Sequence, residues 1–141
     1  MSVAATYHLP IRVYYEDTDF SGVVYHASYL RFMERGRTEM LREMGIHQAD
    51  LHQADRHQAG APAAAFVVRH MTIDWIKPAR MDDLLMIETA VELCGGASMI
   101  LAQTIRRDER VLVTARVQIA YVSAGRPIRL PDTLRAKFAE A

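Results

Sequence analysis

The chain is short of most features that would place it quickly. It has a single cysteine, Cys94, so no disulfide framework can exist within it. The residues around Cys94 are apolar, which suits a buried core thiol rather than a reactive one. No apolar run reaches the ~18 residues that a membrane span needs. Met1 to Pro10 holds no apolar stretch of leader length. The expectation is a soluble, cytoplasmic protein with no stable membrane insertion. An excess of positive charge is also missing: 17 Lys and Arg stand against 17 Asp and Glu. Phosphate-backbone binding rests on clustered positive charge, which argues against nucleic acid as a main partner. Weak mutual repulsion suits a homo-oligomer.

What is present is ordinary globular material, 50% hydrophobic and 24% charged. A length of 141 residues favours one domain over 1–141. Such a chain can bury a core without disulfides or metals.

Taken in order, Ile11 to Tyr15 alternates, with Ile11, Val13 and Tyr15 on one face, and predicts a short strand. Ser28 to Met44 predicts a helix: Tyr29, Met33, Gly36, Met40 and Met44 recur at helical spacing, with Leu30 and Leu41 beside them. Gly36 lies on that apolar stripe, where it lets the helix lie close on a sheet. Gly45 is placed to end the helix. Residues 47–60 hold a five-residue His-Gln-Ala repeat. Its three histidines, His47, His52 and His57, suggest a metal site. A five-residue step turns a helix by about 140°, so the rings cannot share a face. A polar surface loop is the better reading, and no metal is expected.

Strands follow at Phe66–Trp75, Leu84–Leu93, Ser98–Arg106 and Val111–Val122. Arg69 breaks the alternation of the first. Leu85, Ile87, Val91 and Leu93 share a face of the second. Gly95-Gly96 is a hairpin signal, with left-handed backbone open to both. Leu134 to Phe138 suggests a terminal helical turn. Short turns force antiparallel neighbours, and one helix with one sheet makes an α+β protein. One helix cannot cover both faces and the edges of that sheet, which again points to self-association.

The densest chemistry lies between Tyr15 and Tyr29: Glu16, Asp17 and Asp19 within four positions, then Ser21-Gly22, then His26 before the helix. Asp17-x-Asp19-x-Ser21-Gly22 matches the opening of a calcium loop. Its twelfth position is Ser28, where a bidentate Glu is required. An acidic turn that is only solvated remains open. So does a hydrolase, in which a carboxylate attacks or activates water. Backbone N–H groups at the helix start, those of His26 and Ala27, would then hold a developing oxyanion.

The run from Tyr15 to Tyr29 continues into Glu34 and Arg35-Gly36-Arg37-Thr38-Glu39-Met40-Leu41. With Val67-Val68-Arg69, Pro78-Ala79-Arg80 and Asp82-Asp83, it closely resembles the acyl-CoA thioesterases of the 4-hydroxybenzoyl-CoA thioesterase family. It looks most like their YbgC branch, associated with the Tol-Pal system of Gram-negative bacteria. The resemblance implies the hotdog fold, an antiparallel sheet of five to six strands wrapped round one long helix. It implies homodimers or homotetramers, and hydrolysis of acyl-CoA, or of acyl groups on acyl carrier protein, with no cofactor. The catalytic aspartate of the family falls on Asp19, and the polarising backbone N–H on His26. Tyr15, Gly22, Val24, Tyr25 and Tyr29 are the expected substrate-binding residues. A basic cluster that some members use for the nucleotide is missing at Gly95-Gly96-Ala97, so nucleotide contacts are not carried over; Arg126 and Arg129, beside Pro127, are candidates for phosphate, with a solvated surface the better reading. A binding module that hydrolyses nothing is the alternative, and intact Asp19 speaks against it.

Overall fold

The computed structural model of the protein describes residues 5–51 and 63–140. Strand β1 (Thr6–Arg12) leads through a 3-10 turn (Tyr15–Asp17) to helix α1 (His26–Glu43) and the single turn α2 (Gln48–Leu51). Then come β2 (Ala65–Trp75), β3 (Leu84–Cys94), β4 (Ser98–Arg107), β5 (Arg110–Ser123), the short β6 (Arg126–Pro127) and helix α3 (Asp132–Glu140). The sheet order is β1-β3-β4-β5-β2, with β6 on β5, and every pairing is antiparallel. The α+β class and the strand count expected from the sequence are both found.

Helix α1 lies against one face of the sheet. It buries Tyr29, Phe32, Met33, Gly36, Met40 and Leu41. They share one buried core with Leu85 and Ile87 of β3, Leu101 and Ile105 of β4, and Val113 and Val117 of β5. Each large side chain removed from water contributes about 1.5–3 kcal/mol, so this seam is the main adhesive of the fold. Gly36 sits at its closest point. A Cβ there would stand 2.8 Å from Ile87 Cγ2 and 3.0 Å from Thr89 Oγ1. The helix stops as the sequence predicts. Gly45 has φ +83, its N–H donates to Arg42 O (2.9 Å), and the Ile46 N–H donates to Leu41 O (2.8 Å). This pair of bonds satisfies two carbonyls that a helix end otherwise leaves bare.

Several expectations need correction. The first strand runs from Thr6 to Arg12 rather than from Ile11 to Tyr15. The Val13 N–H still donates to the opposite Asp83 O at 2.8 Å. Asp82, at φ 72, takes the Val13 carbonyl and the Asp83 N–H turns to Arg80 O, which ends the ladder. Helix α1 starts at His26, two residues before Ser28. Phe32 joins its buried face, while Leu30 is exposed. Leu93 is exposed because the register shifts between Val91 and Leu93, which turns the strand end over. Arg69 sits at a second such shift, between Val68 and His70. Neither Gly95 nor Gly96 takes positive φ. Their loop is held instead by Gly95 N–H to Ser98 O and Leu130 N–H to Gly96 O. The terminal turn is the longer α3, with Phe138 packed edge-on to Phe66. Of the repeat histidines, His52 and His57 lie outside the described residues.

Candidate active site

The three carboxylates of the acidic run have separate fates. Glu16 is exposed. Asp17 is buried, and its Oδ2 accepts the Tyr14 N–H at 2.8 Å while its backbone O accepts the Tyr25 N–H at 2.9 Å. It therefore ties the loop to the residue that precedes α1. Asp19 is exposed, and its Oδ1 accepts both the Ser21 hydroxyl (2.6 Å) and the Ser21 N–H (2.8 Å). These bonds favour the anion, with smaller help from Val23 and from His26, and they hold its pKa below the ordinary 3.8. The Asp19 carboxylate is thus charged at neutral pH.

Gly22 turns the chain at φ +86, a conformation strained for any residue with a side chain. The Gly22 N–H donates to Asp19 O, and the Asp19 N–H donates to Val23 O. The loop is then fastened to a distant segment. Val24 N–H donates to Ala79 O at 2.9 Å, Ala79 N–H donates to the Tyr29 hydroxyl at 2.8 Å, and Val23 bridges to Arg80. That segment is held in turn by Asp83, whose Oδ2 accepts the Arg80 N–H and the Arg107 guanidinium, each at 2.9 Å. Pro78-Ala79-Arg80 and Asp82-Asp83 therefore act as the clamp for the acidic loop.

A cleft of about 230 Å³ opens here, lined by Asp19, Val23, Val24, Tyr25, His26 and Tyr29 with Trp75 to Pro78. Its walls are mostly apolar. The His26 ring stands edge-on to Trp75 at 5.0 Å, and Trp75 edge-on to Tyr29 at 5.3 Å. Helix α1 begins at this cleft with Tyr25 as its cap residue and no side chain capping it. Among the described residues, no acceptor takes the N–H of His26 or Ala27. Uncapped N–H groups and the positive end of the helix dipole make a place for negative charge beside Asp19.

Five of the seven expected residues are brought together: Asp19, Val24, Tyr25, His26 and Tyr29. Tyr15 is not among them. It is 81% exposed on the 3-10 turn, where sequence nearness to Asp19 does not become nearness in space. Gly22 shapes the loop but does not line the cleft. Trp75, Ile76 and Lys77 were missed. Their only signal was a lone tryptophan at a strand end ahead of Pro78.

The profile of the thioesterase superfamily matches residues 21–114. The chain belongs to the thioesterase superfamily. It is 42% identical to the protein named acyl-CoA thioesterase YbgC from Haemophilus influenzae, over 94% of this chain and 93% of that one. It is 43% identical to the acyl-CoA thioester hydrolase YbgC of Escherichia coli, over 92% of each. A crystal structure of a probable thioesterase from Bartonella henselae superposes with a TM-score of 0.84 at 45% identity, covering 90% of this chain and all of that one. The hotdog fold and the place in the YbgC branch follow, and this thioesterase is an enzyme that hydrolyses thioesters. No helix among the described residues is long and apolar enough to cross a membrane.

Proposed function

We propose that this thioesterase hydrolyses acyl-CoA through Asp19, with the backbone N–H of His26 as oxyanion donor. Acyl-CoA and water give a carboxylic acid and free CoA thiol. Asp19 attacks the thioester carbonyl, or takes a proton from the attacking water. The carbonyl oxygen gains charge against the uncapped start of α1. The observation that carries this reading is one cleft holding an ionised carboxylate and unpartnered helix-start N–H groups. Trp75, Tyr29 and Val24 exclude water around the reacting carbon. The small volume of the cleft favours short acyl groups, delivered on CoA or on acyl carrier protein.

We further propose a homodimer or homotetramer working in the cytoplasm. Strand β2 is an edge of the sheet, and it exposes Val67, Val68 and Trp75. Pairing with a second copy would cover it.

Thiol release from short, long and aromatic acyl-CoAs tests the reaction. Asp19→Asn should lower kcat by about 10²- to 10⁴-fold with substrate binding kept. Undiminished turnover in that variant would remove Asp19 from the chemistry. Binding without turnover by the wild type would make the protein a carrier of acyl groups instead.

A further inference from the structure

Arg107 is the last residue of β4, where the strand meets β5 through the turn at Asp108-Glu109. It is far from Asp19 in sequence and does not line the cleft around it. A run of short contacts nevertheless joins the two. Arg107 Nη1 donates to Asp83 Oδ2 at 2.9 Å, and the two side chains are only 30% and 21% exposed. The same Oδ2 accepts the Arg80 N–H at 2.9 Å. Arg80 bridges to Val23, and Val23 O accepts the Asp19 N–H at 2.9 Å. Beside that bridge, the Val24 N–H donates to Ala79 O at 2.9 Å.

Asp19 is exposed, so packing does not fix it. Ser21 and the loop backbone do, and that backbone is anchored on the Ala79-Arg80 segment. The segment is a loop between β2 and β3 with no ladder of its own. It ends at Asp82 with φ 72, a conformation that a non-glycine residue keeps only where its surroundings fix it. Asp83 does that fixing: its backbone O accepts the Val13 N–H, and its carboxylate accepts the Arg80 N–H. Arg107 in turn decides where the carboxylate stands. A charge-assisted bond is roughly twice as strong as a neutral one, so this link is the strongest in the run.

We propose that Arg107 is a positioning residue for thioester hydrolysis. It fixes Asp83, Asp83 fixes the Ala79-Arg80 segment, and that segment sets where Asp19 stands against the start of α1. The proposal rests on the reading of Asp19 as the acting carboxylate. Displacing a reacting group by ~1 Å costs about 10²-fold in rate, so a change at the far end of β4 is read in turnover. Substrate binding depends instead on the apolar walls of the cleft, which Arg107 does not touch.

Steady-state kinetics on an acyl-CoA, with amide hydrogen exchange on the same samples, tests the assignment. Arg107→Gln should lower kcat by about 10- to 100-fold and leave KM nearly unchanged. Its acid limb in the pH profile should stay in place, because Ser21 is untouched. Arg107→Lys should recover part of the loss. Arg106→Gln, which breaks the neighbouring ion pair with Glu88, should leave kcat unchanged. Asp83→Asn combined with Arg107→Gln should lose no more than the worse of the two single variants, as expected of residues acting through one contact. Without any turnover, the N–H groups of Asp19, Val24 and Arg80 should lose protection in Arg107→Gln. If Arg107→Gln does not fold, Arg107→Lys carries both readings with smaller losses. Unchanged kcat or unchanged protection in the folded variant, a loss confined to KM, or an equal loss in Arg106→Gln would each overturn the proposal. Turnover kept by Asp19→Asn, or absent from the wild type, would instead remove the reading beneath it; the exchange data then show by themselves whether Arg107 holds the loop.

Discussion

Ser21 keeps Asp19 ionised below the usual carboxylate range. The hydroxyl and the N–H of Ser21 both point at one carboxylate oxygen, and that is the first reason for the lowered pKa. A carboxylate with a lowered pKa stays ionised as the pH falls, and is lost only below the ordinary value. Thiol release should therefore persist on the acid side until the pH drops through the lowered pKa of Asp19. Ser21→Ala removes the shorter of the two bonds and should move that acid limb upward in a kcat/KM–pH profile. An unmoved limb would mean that another group sets it. At this scale the sequence was legible in kind but not in direction. Residue types alone placed the acids and His26 together but could not separate Glu16, Asp17 and Asp19, because type does not say which of three neighbouring acids faces inward; only the family resemblance pointed to Asp19. Hydrogen bonds to Tyr14 turn Asp17 into the core, and that leaves Asp19 for the cleft. Tyr15 fails for the same reason: a 3-10 turn points it away.

Helix α1 and the sheet meet through the notch at Gly36. Alanine there would gain about 1 kcal/mol of helix propensity. It would also place a methyl group 2.8 Å from Ile87 and 3.2 Å from Gln103 Nε2. Overpacking of a filled core costs about 1–3 kcal/mol, so the clash should outweigh the gain. Gly36→Ala should lower the urea midpoint with little change in slope. A variant as stable as the wild type would show that the seam can open without cost. The helix was legible because its apolar stripe, its glycine notch and its glycine stop all obey local rules. The faces of β2 and β3 were only half legible. One irregular residue at Val68–His70, and another at Val91–Leu93, reverses every side chain beyond it. Arg69 carried a trace of the first. Leu93 gave none of the second, since a leucine fits either face of an alternating pattern.

Among the described residues, one long strand is left unpaired along its outer side. Strand β2 runs over 11 residues at the sheet edge, and its exposed valines make it a poor surface for an isolated monomer. Sedimentation equilibrium should return at least twice the 16.0 kDa chain mass, with thermal stability that rises with protein concentration. A monomer at all concentrations would sink the proposed assembly. Trp75, at the end of this same strand, was the residue of the site hardest to see in the sequence. It reaches His26 only because β2 pairs with β5 over its full length.

The clamp on the acidic loop has a consequence in time as well as in space. Val13 reaches Asp83, and Val24 and Tyr29 reach Ala79, across 50 or more positions of chain. Contacts of that separation close slowly, after local helices have formed. Residues adjacent in sequence are thus made into a working centre by the most distant partners in the fold. During refolding, helix signal should return first and thiol release last, so catalysis itself becomes the clock for completion of the native chain.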